Sequence, residues 1–178
     1  MPEPRVAVFV DGANFYNRLR QCQWPTRADV GGFAQRLAGN RQLIGAWYYN
    51  VSPPSDRPAE QVARQERYYT RIRENPLVRF KLGFLQRRLV DGHAVYEEKG
   101  VDVSLAVDML TGAFQDEYDV AVLVSSDGDF KPAVEAVRAT GKRVEYIFFP
   151  GTTRSSALMK ACNIARKCRR VWLTELSP

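Results

Sequence analysis

The chain has 178 residues, 45% of them hydrophobic, which is enough for one domain with a substantial core. Lys and Arg number 26 against 20 Asp and Glu, a formal charge of +6 with a sequence pI of about 9.4, and this balance favours an anionic partner such as nucleic acid. No apolar run approaches the ~20 residues of a membrane span, the N-terminus lacks a signal-peptide layout, and Cys22, Cys162 and Cys168 form no CxxC pair. These features argue against a membrane protein, a disulfide framework and a zinc site, and the expectation is a reduced, cytoplasmic protein.

Taken in order, "RVAVFV" (5–10), "QLIGAWYYNV" (42–51), "YDVAVLVSS" (118–126) and "RVEYIFF" (143–149) are unbroken apolar runs of strand length. Unbroken rather than alternating runs mark strands buried on both faces. Helical patterns come between them. Residues 58–75 are polar with few Gly or Pro. Residues 101–114 repeat apolar side chains at Val103, Ala106, Val107 and Leu110. Residues 129–141 carry Pro132 early and Gly141 at the end. Residues 155–168 read as a helix with Leu158, Ala161, Ile164, Ala165 and Cys168 on one stripe, and "RVWLTE" (171–176) as a closing strand. Between residues 79 and 100, Asp91-Gly92 joins "RRLV" to "HAVY", a strong hairpin signal.

The alternation of β and α predicts an α/β fold, a mainly parallel sheet with helices on both faces and a β-hairpin insertion. No repeat, low-complexity block or linker divides residues 1–178, so a single domain is expected. In such sheets ligands gather outside the carboxyl ends of the strands. Asp11 follows the first strand and Asp127 the fourth, so both should face one crevice.

Asp11, Asp102, Asp127 and Asp129 each have an ordinary explanation. Asp102 sits in a first helical turn, where negative charge is favourable. Asp127 or Asp129 would cap the helix that follows, and Asp11-Gly12 would make a tight turn. Together they point further, because the topology brings three segments to one edge. Clustered acids repel unless a cation lies between them. Oxygen ligands around a hydrated Mg²⁺ or Mn²⁺ would relieve that repulsion, and such an ion activates water and stabilises phosphate charge. The only histidine, His93, falls in the hairpin turn, which argues against a Ser/His/Asp triad. No P-loop motif is present.

"VFVDGANFYNRL", "EKGVDVSLAVDML" and "VLVSSDGDFKPAVEAVRATGKRVE" together resemble an NYN domain of the LabA-like type, within the PIN-like nuclease superfamily. The similarity runs in order from about residue 5 to about residue 165. It implies a Rossmann-like parallel α/β domain and metal-dependent ribonuclease chemistry on RNA, with preference for single strands. By motif it singles out Asp11 and Asn14, then Lys99 and Asp102, then Asp127 and Asp129. Asp108 falls where the second motif often carries an acid, but it stands about 120° around the helix from Asp102, the place of an outer or surface residue. Ser126 replaces a glycine common in relatives.

Asp11, Asp102 and Asp127 are the expected metal ligands, directly or through water. Asp129 would ligate a second ion, orient water or simply cap. The Asn14 amide would fix a phosphate or Asp11, and Lys99 would neutralise a substrate phosphate. Basic residues cluster at 71–88, including Arg87 and Arg88 near the hairpin, and at 160–170, where Lys160, Lys167 and Arg170 share a side if the helix continues. Phe15 and Tyr16 either stack on bases or belong to the core.

Three functions compete. The first is a metal-dependent ribonuclease. The second is a catalytically weak NYN module that binds RNA or a protein partner in regulation. The third is an aspartyl phosphatase, which normally needs an acid where Ala13 stands. A homodimer remains open.

Overall fold

The apolar runs at 5–11 and 120–124 lie at the centre of the sheet, and each feeds two cores at once. In β1 (Arg5–Asp11), Val6, Val8 and Val10 enter one hydrophobic cluster while Ala7 and Phe9 enter the other. In β5 (Val120–Val124), Val120, Val122 and Val124 divide in the same way from Ala121 and Leu123. A strand packed on both faces has no place for polar alternation, which is why the sequence runs unbroken.

The computed structural model describes residues 3–54, 56–91 and 93–176. The remaining strands are β2 (Gln42–Val51), β3 (Val78–Val90), β4 (His93–Lys99), β6 (Arg143–Phe148) and β7 (Ile164–Lys167). The helices are α1 (Gly12–Gln21), α2 (Val30–Ala38), α3 (Ala59–Glu74), α4 (Val101–Phe114), α5 (Lys131–Ala139) and α6 (Ser156–Ala161). The strands form one seven-stranded sheet in the order β4-β3-β2-β1-β5-β6-β7, parallel except where β4 returns against β3. The expected mainly parallel sheet with a hairpin is therefore present.

One face is covered by α1, α2 and α3 through Phe15, Leu19, Phe33, Leu37 and Ile72. The other is covered by α4, α5 and α6 through Leu105, Met109, Val134, Val137 and Leu158. Burying each such side chain favours folding by ~1.5–3 kcal/mol. Phe15 stacks on Phe33 at 5.3 Å between ring centres, so it belongs to the core.

From β1 the chain moves outward through β2, β3 and β4, then returns along α4 to β5 on the other side of β1. The strand order thus reverses between β1 and β5, and the carboxyl ends of these two strands open the crevice where open α/β sheets take ligands.

Four local expectations are corrected. Helix α4 buries Val101, Leu105, Met109 and Ala113, whereas Val103 and Val107 of the expected stripe are exposed. The helix is apolar on more than one side, so periodicity alone could not choose the packed face. The segment 155–168 is a short helix followed by a strand. Asn163 accounts for the change: its N–H donates to the Val144 carbonyl (2.9 Å) and its Oδ1 accepts from Val144 N–H (2.8 Å), so the chain peels onto the open edge of β6. Lys160, Lys167 and Arg170 consequently share no helix. At the C-terminus, Arg170–Trp172 is a 3-10 turn, and an isolated antiparallel bridge joins Glu175 to Ala28 in place of a strand. Residues 12–38, outside the patterns read from the sequence, hold α1 and α2. In the hairpin, Val90 faces His93 across the pair and Asp91 adopts φ +50°, but Gly92 lies outside the described residues.

Candidate functional site

Asp11 ends β1 and caps α1. Its Oδ1 accepts from the Asn14 backbone N–H (3.1 Å) and its Oδ2 accepts from the Ser125 hydroxyl (2.9 Å). The helix can begin so close to β2 only because residue 12 is glycine. A Cβ there would lie 2.5 Å from the Tyr49 carbonyl oxygen, an impossible contact. Asn14 ties the two strand ends together, its Oδ1 accepting from the Ser126 backbone N–H (3.1 Å). Ser125 also accepts from the Asp127 N–H (3.2 Å), and Asp127 Oδ1 accepts from the Asp129 N–H (2.9 Å) to cap the 3-10 turn Gly128–Phe130. A continuous chain of polar contacts therefore runs from Asp11 through Ser125 to Asp127. The Ser126 hydroxyl accepts from Tyr146 (3.2 Å).

Asp102 comes from the first turn of α4, whose entry from β4 is made by Gly100 at φ +82°. Its charge is felt by the groups at the ends of β1 and β4. Burial pushes the Asp11 carboxyl up to about 6, its two hydrogen bonds partly offset this, and the charges of Asp102 and Glu98 add to the rise. Asp102 is itself raised, first by lost hydration and then by Asp127 and Asp129. Glu98 is raised by lost hydration and by Asp102. Asp11, Glu98, Asp102, Asp127 and Asp129 thus form one electrostatic cluster at the carboxyl edge of the sheet.

Among the described residues, no three His, Cys, Asp or Glu side chains stand closely enough to hold a metal ion by themselves. The donors are carboxylate oxygens whose mutual repulsion is unrelieved. They fit a hard cation that keeps much of its water, as Mg²⁺ does, better than a dry protein cage.

The other residues singled out from the sequence divide. Lys99 Nζ donates to Glu97 (2.6 Å), and both sit on the side of β4 opposite Glu98. Arg88 pairs with the same Glu97 (3.3 Å), whereas Arg87 lies across from Tyr96, on the side of the hairpin that carries Leu85 and Glu98. The two arginines therefore do not act together. Asp108 accepts from the Tyr49 hydroxyl (2.6 Å) and from Lys81 (2.7 Å), an outer position, as its place on the helix suggests. Tyr16 is exposed, with the Arg20 guanidinium 5.8 Å from its ring centre.

Beside the acid cluster lies a cleft of about 880 Å³ between α1, α3, the loop after β2 and the hairpin. Ala13 and Glu98 line it near the acids. The sequence reading missed Glu98, although it adjoins Lys99 in the quoted motif, because nothing in a strand pattern says which of two adjacent glutamates faces a crevice. It also missed Ser125, the buried hydroxyl that joins Asp11 to Asp127.

No helix among the described residues is long and apolar enough to cross a membrane. A family model for the NYN domain matches residues 5–167. The chain is 27% identical over 150 residues to the low amplitude and bright protein LabA of Synechococcus elongatus, an alignment covering 83% of this chain and 75% of that one. Its fold also matches a crystal structure of a protein of unknown function from Vibrio parahaemolyticus, with a TM-score of 0.69, 23% identity and 97% of each chain covered. With nearly its whole length matched and the acid cluster at the strand-order reversal, the chain belongs to the NYN domain family, a PIN-like group of nuclease-like, RNA-related domains.

Proposed function

We propose that this protein is a metal-dependent ribonuclease that hydrolyses phosphodiester bonds with a water nucleophile. The observation that carries the reading is the coupled carboxylate cluster. Asp11 is buried at the end of β1, raised to about 6, and answered by Asp102 and Glu98 from separate segments. Folding has assembled these like charges at a cost that a tight turn or a helix cap does not require.

Asp11, Asp102 and Asp127 would hold Mg²⁺ or Mn²⁺, in part through water, and the bound ion would supply an acidified water and charge neutralisation at phosphate. The chain's own groups prepare this. Ser125 and the Asn14 N–H fix both oxygens of Asp11, and Asn14 clamps the β1 and β5 loops so that Asp11 and Asp127 keep their separation. Asp127 Oδ1 is committed to its cap, which leaves Oδ2 for ligand. Asp129, exposed beside it, can take a proton from water or orient it. Lys99 would reach a phosphate only after leaving Glu97.

A second reading, a weakly catalytic module that binds RNA or a protein partner in regulation, is favoured by one observation. The carboxylates stand too far apart to hold an ion without water or rearrangement.

Incubation of labelled single-stranded RNA with Mg²⁺, Mn²⁺ or EDTA separates the two. Cleavage that needs the ion and disappears in a folded Asp127→Asn variant supports the nuclease, since Asn caps about as well as Asp. Binding without cleavage, or cleavage that Asp127→Asn leaves intact, removes it.

A further inference from the structure

The cleft beside the acid cluster is strongly polarised. Among the described residues its walls carry Arg20, Arg27, Arg57 and Arg64, and the carboxylate that lines it, Glu98, sits at the end that meets Asp102, while Asp56 is held by Tyr96. A second concavity of about 480 Å³ shares Arg27 and Arg64 and adds Arg67 and Arg71 against the acid Glu66, which pairs with Arg73, so the basic track continues over α3. Arg20, Arg57 and Arg64 are exposed, and the ion pair of Arg64 with Glu60 is long, at 3.5 Å. Two aromatic side chains accompany the arginines. Tyr16 presents an exposed ring with Arg20 against it, and Tyr96 of the hairpin lines the opposite wall, its hydroxyl engaged by Asp56.

We propose that this track is the binding site for a single-stranded polynucleotide, which lies across α3 and passes between α1 and the hairpin into the acid cluster. The proposal rests on the nuclease reading and gives that site its substrate path. Arginine forks suit phosphates spaced along a backbone. The exposed Tyr16 ring, with the half-buried Tyr96 across from it, suits unpaired bases, whose faces a duplex keeps stacked inside. The charge reversal at Glu98 orients the strand, because attraction ends where the acids begin and only a cation admits the scissile phosphate there. The track lies outside both basic runs read from the sequence at 71–88 and 160–170, apart from Arg71, which also lines the second concavity.

Binding is measured by fluorescence anisotropy of a labelled single-stranded RNA of about 12 nucleotides, and of its duplex, in EDTA so that no turnover intervenes. The full chain is compared with Arg57→Ala/Arg64→Ala, with Tyr16→Ala, and with Arg143→Ala at the start of β6 as a control on the far edge. The double arginine variant should weaken single-strand binding roughly tenfold and flatten the salt slope by about 1.4, given ~0.7 per phosphate contact on single strands. Tyr16→Ala should weaken single-strand binding without changing that slope, Arg143→Ala should change neither, and the duplex should bind more weakly than the single strand. Equal affinity and slope in the double variant, no RNA binding by the full chain, or duplex binding as tight as single-strand binding would overturn the proposal. Circular dichroism and melting confirm that each variant is folded, so an effect is assigned to the track. Binding that follows the track without any metal-dependent cleavage would remove the nuclease reading and leave the track standing. Metal-dependent cleavage that ignores the track would do the reverse.

Discussion

Replacing Asp11 with Asn should stabilise the metal-free protein above pH 6 while removing its metal-dependent activity. A carboxyl moved from its ordinary 3.8 to about 6 by burial and neighbouring acids costs about 3 kcal/mol once ionised, at 1.36 kcal/mol per pH unit. The folded chain holds this proton more tightly than the unfolded chain does. The stability owed to it is therefore complete below pH 3.8, falls as pH rises to about 6, and stays lost above that. Asn carries no charge to desolvate and can still accept from the Asn14 N–H, but it exchanges the Ser125–carboxylate hydrogen bond for a weaker neutral one. After that loss, the net gain at pH 7.5 should be about 1–2 kcal/mol, or about 2–8 °C in Tm for a chain of this size. Urea unfolding in EDTA from pH 4 to 8 measures it. Wild type should lose stability relative to Asp11→Asn across pH 4–6, and the curves should run parallel above. An Asn variant less stable than wild type at pH 7.5, or parallel curves throughout, would refute the view that Asp11 is held against its own desolvation.

Glu98→Gln should move the same transition downward, since it removes one of the charges raising Asp11 and Asp102, and the pH–stability profiles of the two variants should show it. Gly12→Ala should destabilise by at least about 1–3 kcal/mol in chemical denaturation, because the new Cβ meets backbone oxygen of β2, which cannot step aside. Arg87→Glu should lower RNA affinity and flatten its salt dependence, because Arg87 interacts with Tyr96 at the hairpin wall of the cleft. Arg88→Glu should change both less, because Arg88 is already paired with Glu97, and salt titrations of the two single variants check the difference.

The sheet was readable because strands buried on both sides leave continuous apolar runs, as in 5–10 and 118–126. The three acidic motifs were readable because the fold rule for parallel sheets places strand ends together without knowledge of side-chain packing. Three things were not. On α4, apolar residues lie on more than one side, and only packing against Tyr118 and the sheet selects Leu105 and Met109 over Val103 and Val107. At 155–168 a helical pattern yields to a long-range capture of Asn163 by β6, which no local window contains. The arginine track joins residues from α1, α2's approach and α3, of which only Arg64, Arg67 and Arg71 carry a helical spacing in the sequence.

A nuclease of this kind requires the acid cluster to take a divalent cation. Titration calorimetry of Mn²⁺ into the purified protein, beside Asp11→Asn, Asp102→Asn and Asp127→Asn, measures this without reference to any substrate. Saturable binding by wild type is predicted, weakened roughly tenfold or more in each folded variant, as expected when a charged oxygen ligand is lost. Mn²⁺ affinity equal in wild type and all three variants would contradict the account.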